Sequence, residues 1–233
     1  MRTLSSSEML ELWERGVGLH PMDRGLFTLK IAGSHPDSVT DWSLGRRNHA
    51  LLELHALWFG HRLEGWTSCS NCGEKIEFEL DARQLAAIAD TGQTQISVVV
   101  GEHMFRLPTS RDVAHVAAAD DEDSAVTRLL ERCRISGPEK SEWTNELVES
   151  IGERLASADP LAETRIALTC PSCRREWDDV LDIGCFVWAE VEARARRLLW
   201  EIHSLAAAYG WSEAETLALN AARRAMYLEM VHR

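Results

Sequence analysis

An α+β fold, mainly helical, is what this sequence predicts, and three observations predict it. The first is a gapless repeat: Cys69-Ser70-Asn71-Cys72 running on to Asp81, and Cys170-Pro171-Ser172-Cys173 running on to Asp182, keep one spacing from first cysteine to final aspartate. The second is strand alternation beside the cysteines, with Ile76, Phe78 and Leu80 set against Lys75, Glu77 and Glu79. The third is helical spacing of apolar residues over most of the remaining chain, longest after Asp182. Together they predict a zinc-ribbon-like pair of β-hairpins joined by a four-cysteine metal site, with an inserted α/β segment and a C-terminal helical hairpin. The segments are N-terminal helices over 1–60, a discontinuous ribbon-like element over 61–81 plus 163–182, an inserted hairpin with helices over 82–162, and the long amphipathic helix with its successors over 183–233.

Taken in order, Met9, Leu10, Leu12, Trp13 and Val17 predict a helix over 7–17 capped by Ser6 or Ser7, ended by Gly16, Gly18 and His20-Pro21. A second helix starts near Met22 and stops at Gly33, followed by a loop over 33–41. Ser43 or Asp41 caps a third, reaching about Phe59, with Leu44, Leu51, Leu54, His55 and Trp58 inward and Arg46 and Arg47 on a solvated shoulder. Strands flank each cysteine pair, with Arg165 to Thr169 and Trp177 to Leu181 forming the second hairpin. Between the pairs come a short helix over 81–89, a hairpin of 95–100 with 103–107, and a helix from Pro108-Thr109-Ser110 to Ala117. The acidic run Asp120-Asp121-Glu122-Asp123-Ser124 lacks the glycine and closing glutamate of a calcium loop and reads as the cap of a helix over 125–132. Residues 135–140, with Gly137-Pro138, read as a mobile loop, and 142–156 as a helix.

After Asp182 the positions Val187, Val191, Ala195, Leu198, Ile202, Leu205 and Tyr209 form one apolar seam, widened by Trp188, Leu199 and Trp200. Gly210 breaks that helix. Ser212 and Glu215 form a capping box for the next, and Asn220 caps a last helix over 221–232 that packs back through Leu219, Met226, Tyr227, Met230 and Val231.

The chemistry lies in Cys69, Cys72, Cys170 and Cys173. Two C-x-x-C turns supply the four thiolates that a tetrahedral zinc ion prefers, about one ion per chain, and four thiolates leave no position for a water molecule. The ion is therefore structural. His61 and His103 lack ligand spacing, and Cys133 and Cys185 read as small buried side chains. No phosphate loop, G-x-S-x-G elbow or H-E-x-x-H helix occurs, so the chain reads as a non-enzyme. The alternatives are a zinc-ribbon nucleic-acid-binding regulator and a redox-sensing zinc protein. The net charge of -12 opposes the first, because nucleic acid is itself a polyanion. Arg174-Arg175 and Arg194, Arg196 and Arg197 are its candidate patch, set among Glu74, Glu77, Glu79, Asp178 and Asp179. The sequence has no apolar run of about 18 residues and no secretion-type leader, and paired C-x-x-C turns suit a reducing compartment. A cytoplasmic protein without membrane contact is expected.

The C-terminal third carries a resemblance: Cys170-Pro171-Ser172-Cys173, Asp182-Ile183, Trp188-Ala189-Glu190-Val191-Glu192, Glu201-Ile202-His203, Ala208-Tyr209-Gly210-Trp211-Ser212-Glu213, and Arg223-Arg224 before Tyr227. Supporting stretches are Leu12-Trp13-Glu14-Arg15-Gly16, His20-Pro21-Met22-Asp23-Arg24, Gly45-Arg46-Arg47-Asn48 and Phe105-Arg106-Leu107-Pro108-Thr109-Ser110. With these the chain resembles the baseplate hub assembly chaperone family of T-even-type phages, in the version found in bacterial clusters for phage-tail-like contractile injection systems. The resemblance implies a non-enzymatic assembly chaperone or adaptor whose partners are the baseplate hub, spike or tape-measure proteins of a contractile tail.

Overall fold

The computed structural model describes residues 1–33, 39–89, 97–138 and 143–231. The N-terminal helices are α1 (Ser6–Gly16), α2 (Pro21–Ala32) and, after a 3-10 turn at Val39–Asp41, α3 (Leu44–Trp58). The first cysteine hairpin is β1 (Arg62–Ser68) with β2 (Lys75–Asp81), followed by α4 (Ala82–Ala89). The insertion holds β3 (Ser97–Val100), β4 (His103–Arg106), α5 (Ser110–Val116), α6 (Glu122–Cys133), β5 (Arg134–Ser136) and α7 (Asn145–Ala158). The second cysteine hairpin is β6 (Thr164–Thr169) with β7 (Glu176–Leu181), and the chain ends in α8 (Ile183–Tyr209), α9 (Glu213–Ala218) and α10 (Ala221–Val231). Among the described residues the sheets are small and antiparallel, β1-β2, β3-β4-β5 and β6-β7, within a mainly helical α+β chain.

Local signals set most boundaries. Ser5, one residue before the expected caps, closes a capping box with Glu8 and starts α1. His20 caps α2 rather than ending α1, its Nδ1 accepting from the Met22 amide. Ser43, Asp121, Thr144, Asp182 and Ser212 cap α3, α6, α7, α8 and α9, each accepting from a first-turn amide. Gly210 ends α8 at φ 68°, where an L side chain is disfavoured.

Helix α8 organises the cores. Ile183 and Val187 join Leu26 and Leu29 of α2, Leu51, Leu52 and Leu54 of α3, and Leu63 and Leu181 of the hairpins. Further along, Trp188, Val191, Ala195 and Leu198 pack on Met9, Leu10 and Leu12 of α1. Each fully buried Leu or Val contributes about 1.5–3 kcal/mol. The insertion has a core of its own, Val98, Phe105, Leu130, Cys133 and Ile151. Two bonds dock the returning chain on α3: Asp159 Oδ2 accepts from the Gly45 amide at 2.9 Å, and Asn48 Nδ2 donates to the Leu161 carbonyl at 2.8 Å. A Cβ on Gly45 would sit 1.9 Å from the Asp159 carboxylate, so that approach requires glycine.

Several expectations change. Ile135 does not begin a loop: Arg134–Ser136 is a third strand, pairing Met104 with Ser136 and Phe105 with Arg134 around a bulge. The turn signal Gly137-Pro138 follows that strand, and three residues are too few to show a period. The hairpin residues 95 and 96 and the loop residues 139 and 140 lie outside the described residues, as do 34–38 and His232. Arg46 is exposed, 4.4 Å over the Trp42 ring, but Arg47 is half-buried and donates to Asn48 Oδ1 and Ser110 Oγ, tying α3 to α5. Leu199 and Trp200 are exposed rather than part of the seam, because they stand about 100° and 200° around the helix from Leu198. Tyr209 is also 40% exposed, stacked on Trp211. Cys133 is buried as expected, whereas Cys185 is exposed.

Helix α10 is rotated relative to expectation. Met226 and Met230 are 60% and 57% exposed, while Arg224 and Leu228 face inward. The cause is an ion pair: buried Arg224 donates from Nε to Glu201 Oε2 at 2.8 Å and from Nη2 to Ser6 Oγ at 3.1 Å, joining α10, α8 and α1. Removing one partner strands a buried charge. Glu201→Ala is expected to cost about 3–5 kcal/mol in urea unfolding, and Glu201→Leu combined with Arg224→Met less than the single change.

His55 is buried on α3 between the rings of Phe59 and Phe186, with centroids at 5.5 and 5.9 Å. Burial lowers its pKa, against an opposing pull from the Gly60 backbone. Below about pH 6.5 the unfolded chain takes the proton more readily than the fold does. Stability from this residue is therefore full above that pH and lost as pH falls through the depressed folded value. Asp112 acts lower: burial pushes its carboxyl up, but hydrogen bonds from Arg106 and Thr109 outweigh this and hold it well below the usual range. Its contribution is lost only as pH falls below about 4. Thermal melts of His55→Leu between pH 7 and 5 should lose less stability than wild type, with the decline below pH 4 retained.

Candidate metal centre

The two cysteine turns are built alike. In the first, the Cys69 amide donates to the Glu74 carbonyl at 2.9 Å and the Gly73 amide to the Cys69 carbonyl at 2.8 Å. In the second, the Cys170 amide donates to Arg175 at 2.8 Å and the Arg174 amide to Cys170 at 2.9 Å. Gly73 at φ 76° and Arg174 at φ 60° occupy equivalent left-handed positions. Glycine adopts this at little steric cost. For arginine it costs about 1–2 kcal/mol, which the surrounding turn must offset.

These turns bring Cys69, Cys72, Cys170 and Cys173 together, with all four sulfurs within 4.8 Å of one another. Cys69 Sγ lies 3.6 Å from Cys173 Sγ, and Cys72 Sγ 3.5 Å from Cys170 Sγ. A disulfide holds its sulfurs near 2.0 Å, and all four residues are free thiols. A tetrahedron of thiolates about 2.3 Å from a central zinc-sized ion has edges near 3.8 Å. The donor set and its spacing therefore fit a metal ion.

The first cysteine of each turn is the deeper one. Cys69 and Cys170 are 2% and 0% exposed and pack with Ile76 and Trp177, whereas Cys173 is partly open and Cys72 exposed. Thr67 Oγ1 donates to Asp179 Oδ2 at 3.1 Å, a cross-tie between hairpins. The crowded thiols perturb one another in opposite directions. The Asn71 side chain and then the Arg175 amide lower Cys173 to about 6. At Cys72 the Glu74 backbone pulls down, but the contact with Cys170 and the crowding of the other thiols carry it up to about 12. Ligation by all four requires loss of the remaining protons.

The other candidate ligands lie elsewhere. His61 is 4.0 Å from Asp81, and His103 packs between Phe105 and Trp143 in the insertion. Cys133 sits in the insertion's core, where burial pushes its thiol up to about 11. Sequence reasoning missed Asn71 and the Thr67–Asp179 tie, which carry no spacing signal. The left-handed position of Arg174 was missed too, although the gapless alignment that places it on Gly73 carried the signal. The outer face of β1-β2 is acidic, with Arg62 bonded to Glu79 and Glu64, and Lys75 to Glu77. No helix of the described residues is long and apolar enough to cross a membrane.

No protein-family model, curated protein or solved structure matches the chain.

Elemental analysis of purified protein should find about one metal ion per chain. Cys72→Ser and Cys173→Ser should each lose the ion and the cooperative melt, as should prolonged chelation. Intact melting of either variant together with metal-free wild type would remove the site.

Proposed function

We propose that the chain is a non-enzymatic assembly chaperone or adaptor for the baseplate hub of a phage-tail-like contractile injection system, held in shape by one structural zinc ion in a zinc-ribbon-like element. The observation that carries this reading is the closed donor set. Among the described residues the one grouping of metal-ligating side chains is four cysteines, which saturate a tetrahedral ion and leave it no position for water or substrate. Thiolates in that number favour zinc. The ion then serves shape, and the work falls to the surfaces it positions.

Two further features support a protein-holding role. The motifs of the C-terminal third, which carry the family resemblance, fall on β6-β7 and on α8 to α10. The same helices expose Leu199, Trp200, Met226 and Met230, apolar side chains of the kind that anchor a partner protein. The acidic balance of -12 opposes polyanionic ligands. The client is a hub, spike or tape-measure protein, and the encounter takes place in the cytoplasm before the tail is complete.

Co-expression of tagged chain with the hub, spike and tape-measure proteins of its own gene cluster should recover at least one of them. Trp200→Ala with Met226→Ala should weaken that recovery about tenfold or more while leaving metal content unchanged. Deletion should reduce assembled particles seen by electron microscopy. Unchanged particle numbers, with no tail protein recovered, would overturn the assignment.

A further inference from the structure

The two turns present their cysteines unequally, and that inequality has chemical content. In each turn the first cysteine makes the backbone bonds that close the loop and lies at its floor, while the second stands at the tip. Cys72 is exposed on α-carbon-neighbouring turn residues that are themselves open, Ser70, Asn71 and Gly73, whereas Cys69 and Cys170 are 2% and 0% exposed. A saturated thiolate site offers no metal position for chemistry, but its sulfurs remain nucleophiles. Cys72 is the most accessible of the four, ahead of the partly open Cys173, and 3.5 Å away on the other hairpin stands Cys170.

We infer that Cys72 is an oxidative modification site: its sulfur attacks a hydroperoxide, and the centre closes as a Cys72–Cys170 disulfide across the two hairpins. The inference rests on the zinc reading above. Cys72 sulfur attacks a peroxide oxygen, forming an S–O bond as the O–O bond breaks, and the leaving hydroxide takes up a proton from the buffered solution. The sulfenic acid is a poor ligand. Cys170 sulfur then attacks the sulfenic sulfur, forming the S–S bond and expelling a second hydroxide, which is likewise protonated. Two thiolates, one hydrogen peroxide and two protons become one disulfide and two waters. Two electrons pass from sulfur to oxygen.

With two thiolates consumed, the ion is left with Cys69 and Cys173 and departs. The hairpins stay joined, because the disulfide spans the same 98-residue separation that the metal spanned. Oxidation thus exchanges a metal clasp for a covalent one, whereas chelation opens it.

The test uses the full zinc-loaded chain carrying Cys185→Ser, which removes the exposed thiol outside the centre. Equimolar hydrogen peroxide should release the zinc, read with a chromogenic chelator, and abolish two thiols per chain. Non-reducing peptide mapping should find Cys72 joined to Cys170, and the oxidised chain should keep a cooperative melt that the chelated, reduced chain loses. Retention of zinc under excess peroxide, a bridge within one turn such as Cys69–Cys72, or a sulfinic acid without a bridge would each overturn the inference. If the purified chain holds no zinc and gives no thiolate absorption with cobalt, the metal reading fails. The inference then falls with it, whereas zinc that is bound and then retained under peroxide overturns the inference and leaves the metal reading standing.

Discussion

The convergence of four sulfurs contributed by segments 98 and 104 positions apart is the constraint on which the rest depends. Closing a loop of about a hundred residues costs roughly 4 kcal/mol of chain entropy. Ion binding at four thiolates contributes on the order of 10 kcal/mol in small zinc domains. The ligation term exceeds the closure term, so one point contact can fix where the insertion leaves the body and where it returns. Each hairpin alone is a two-stranded sheet, marginal in water. Joined, they share a small apolar floor of Ile76, Trp177 and the two buried cysteines.

The cysteine cluster is not the insertion's sole attachment. Asp159 and Asn48 bind the chain to α3 as it returns, and Arg47 reaches from α3 to Ser110 of α5. Inside the insertion, Asp112 accepts from Arg106, Arg132 and Thr109, tying α5 to β4 and α6. Polar ties therefore orient the insertion against α3, while its apolar core of Val98, Phe105, Leu130 and Ile151 keeps it folded.

What the sequence made legible were features repeated often enough to show a period. The gapless cysteine repeat located both hairpins, and the seam from Val187 to Leu205 located α8 with its ends. Features set by a single long-range contact were not legible. Met226 and Met230 look like a helix's inward face until Arg224 finds Glu201, which turns α10 by its own geometry. The strand Arg134–Ser136 exists because β4 has an edge to offer, and three residues carry no pattern that reveals a neighbour. Cys185 reads as a small core residue by type, yet its place beside Asp182 in the first turn of α8 leaves it open. Hydropathy names a residue's preference. Burial is decided by which face a distant partner claims.

The left-handed position shared by the two turns is glycine in one and Arg174 in the other. During synthesis the glycine-bearing turn emerges first, with a backbone that reaches its left-handed position at little steric cost. The later turn resists that shape until neighbouring contacts hold it. The two turns are therefore unequal partners: the N-terminal one adopts its bend on its own terms, and the C-terminal one is held in the same bend by what it touches.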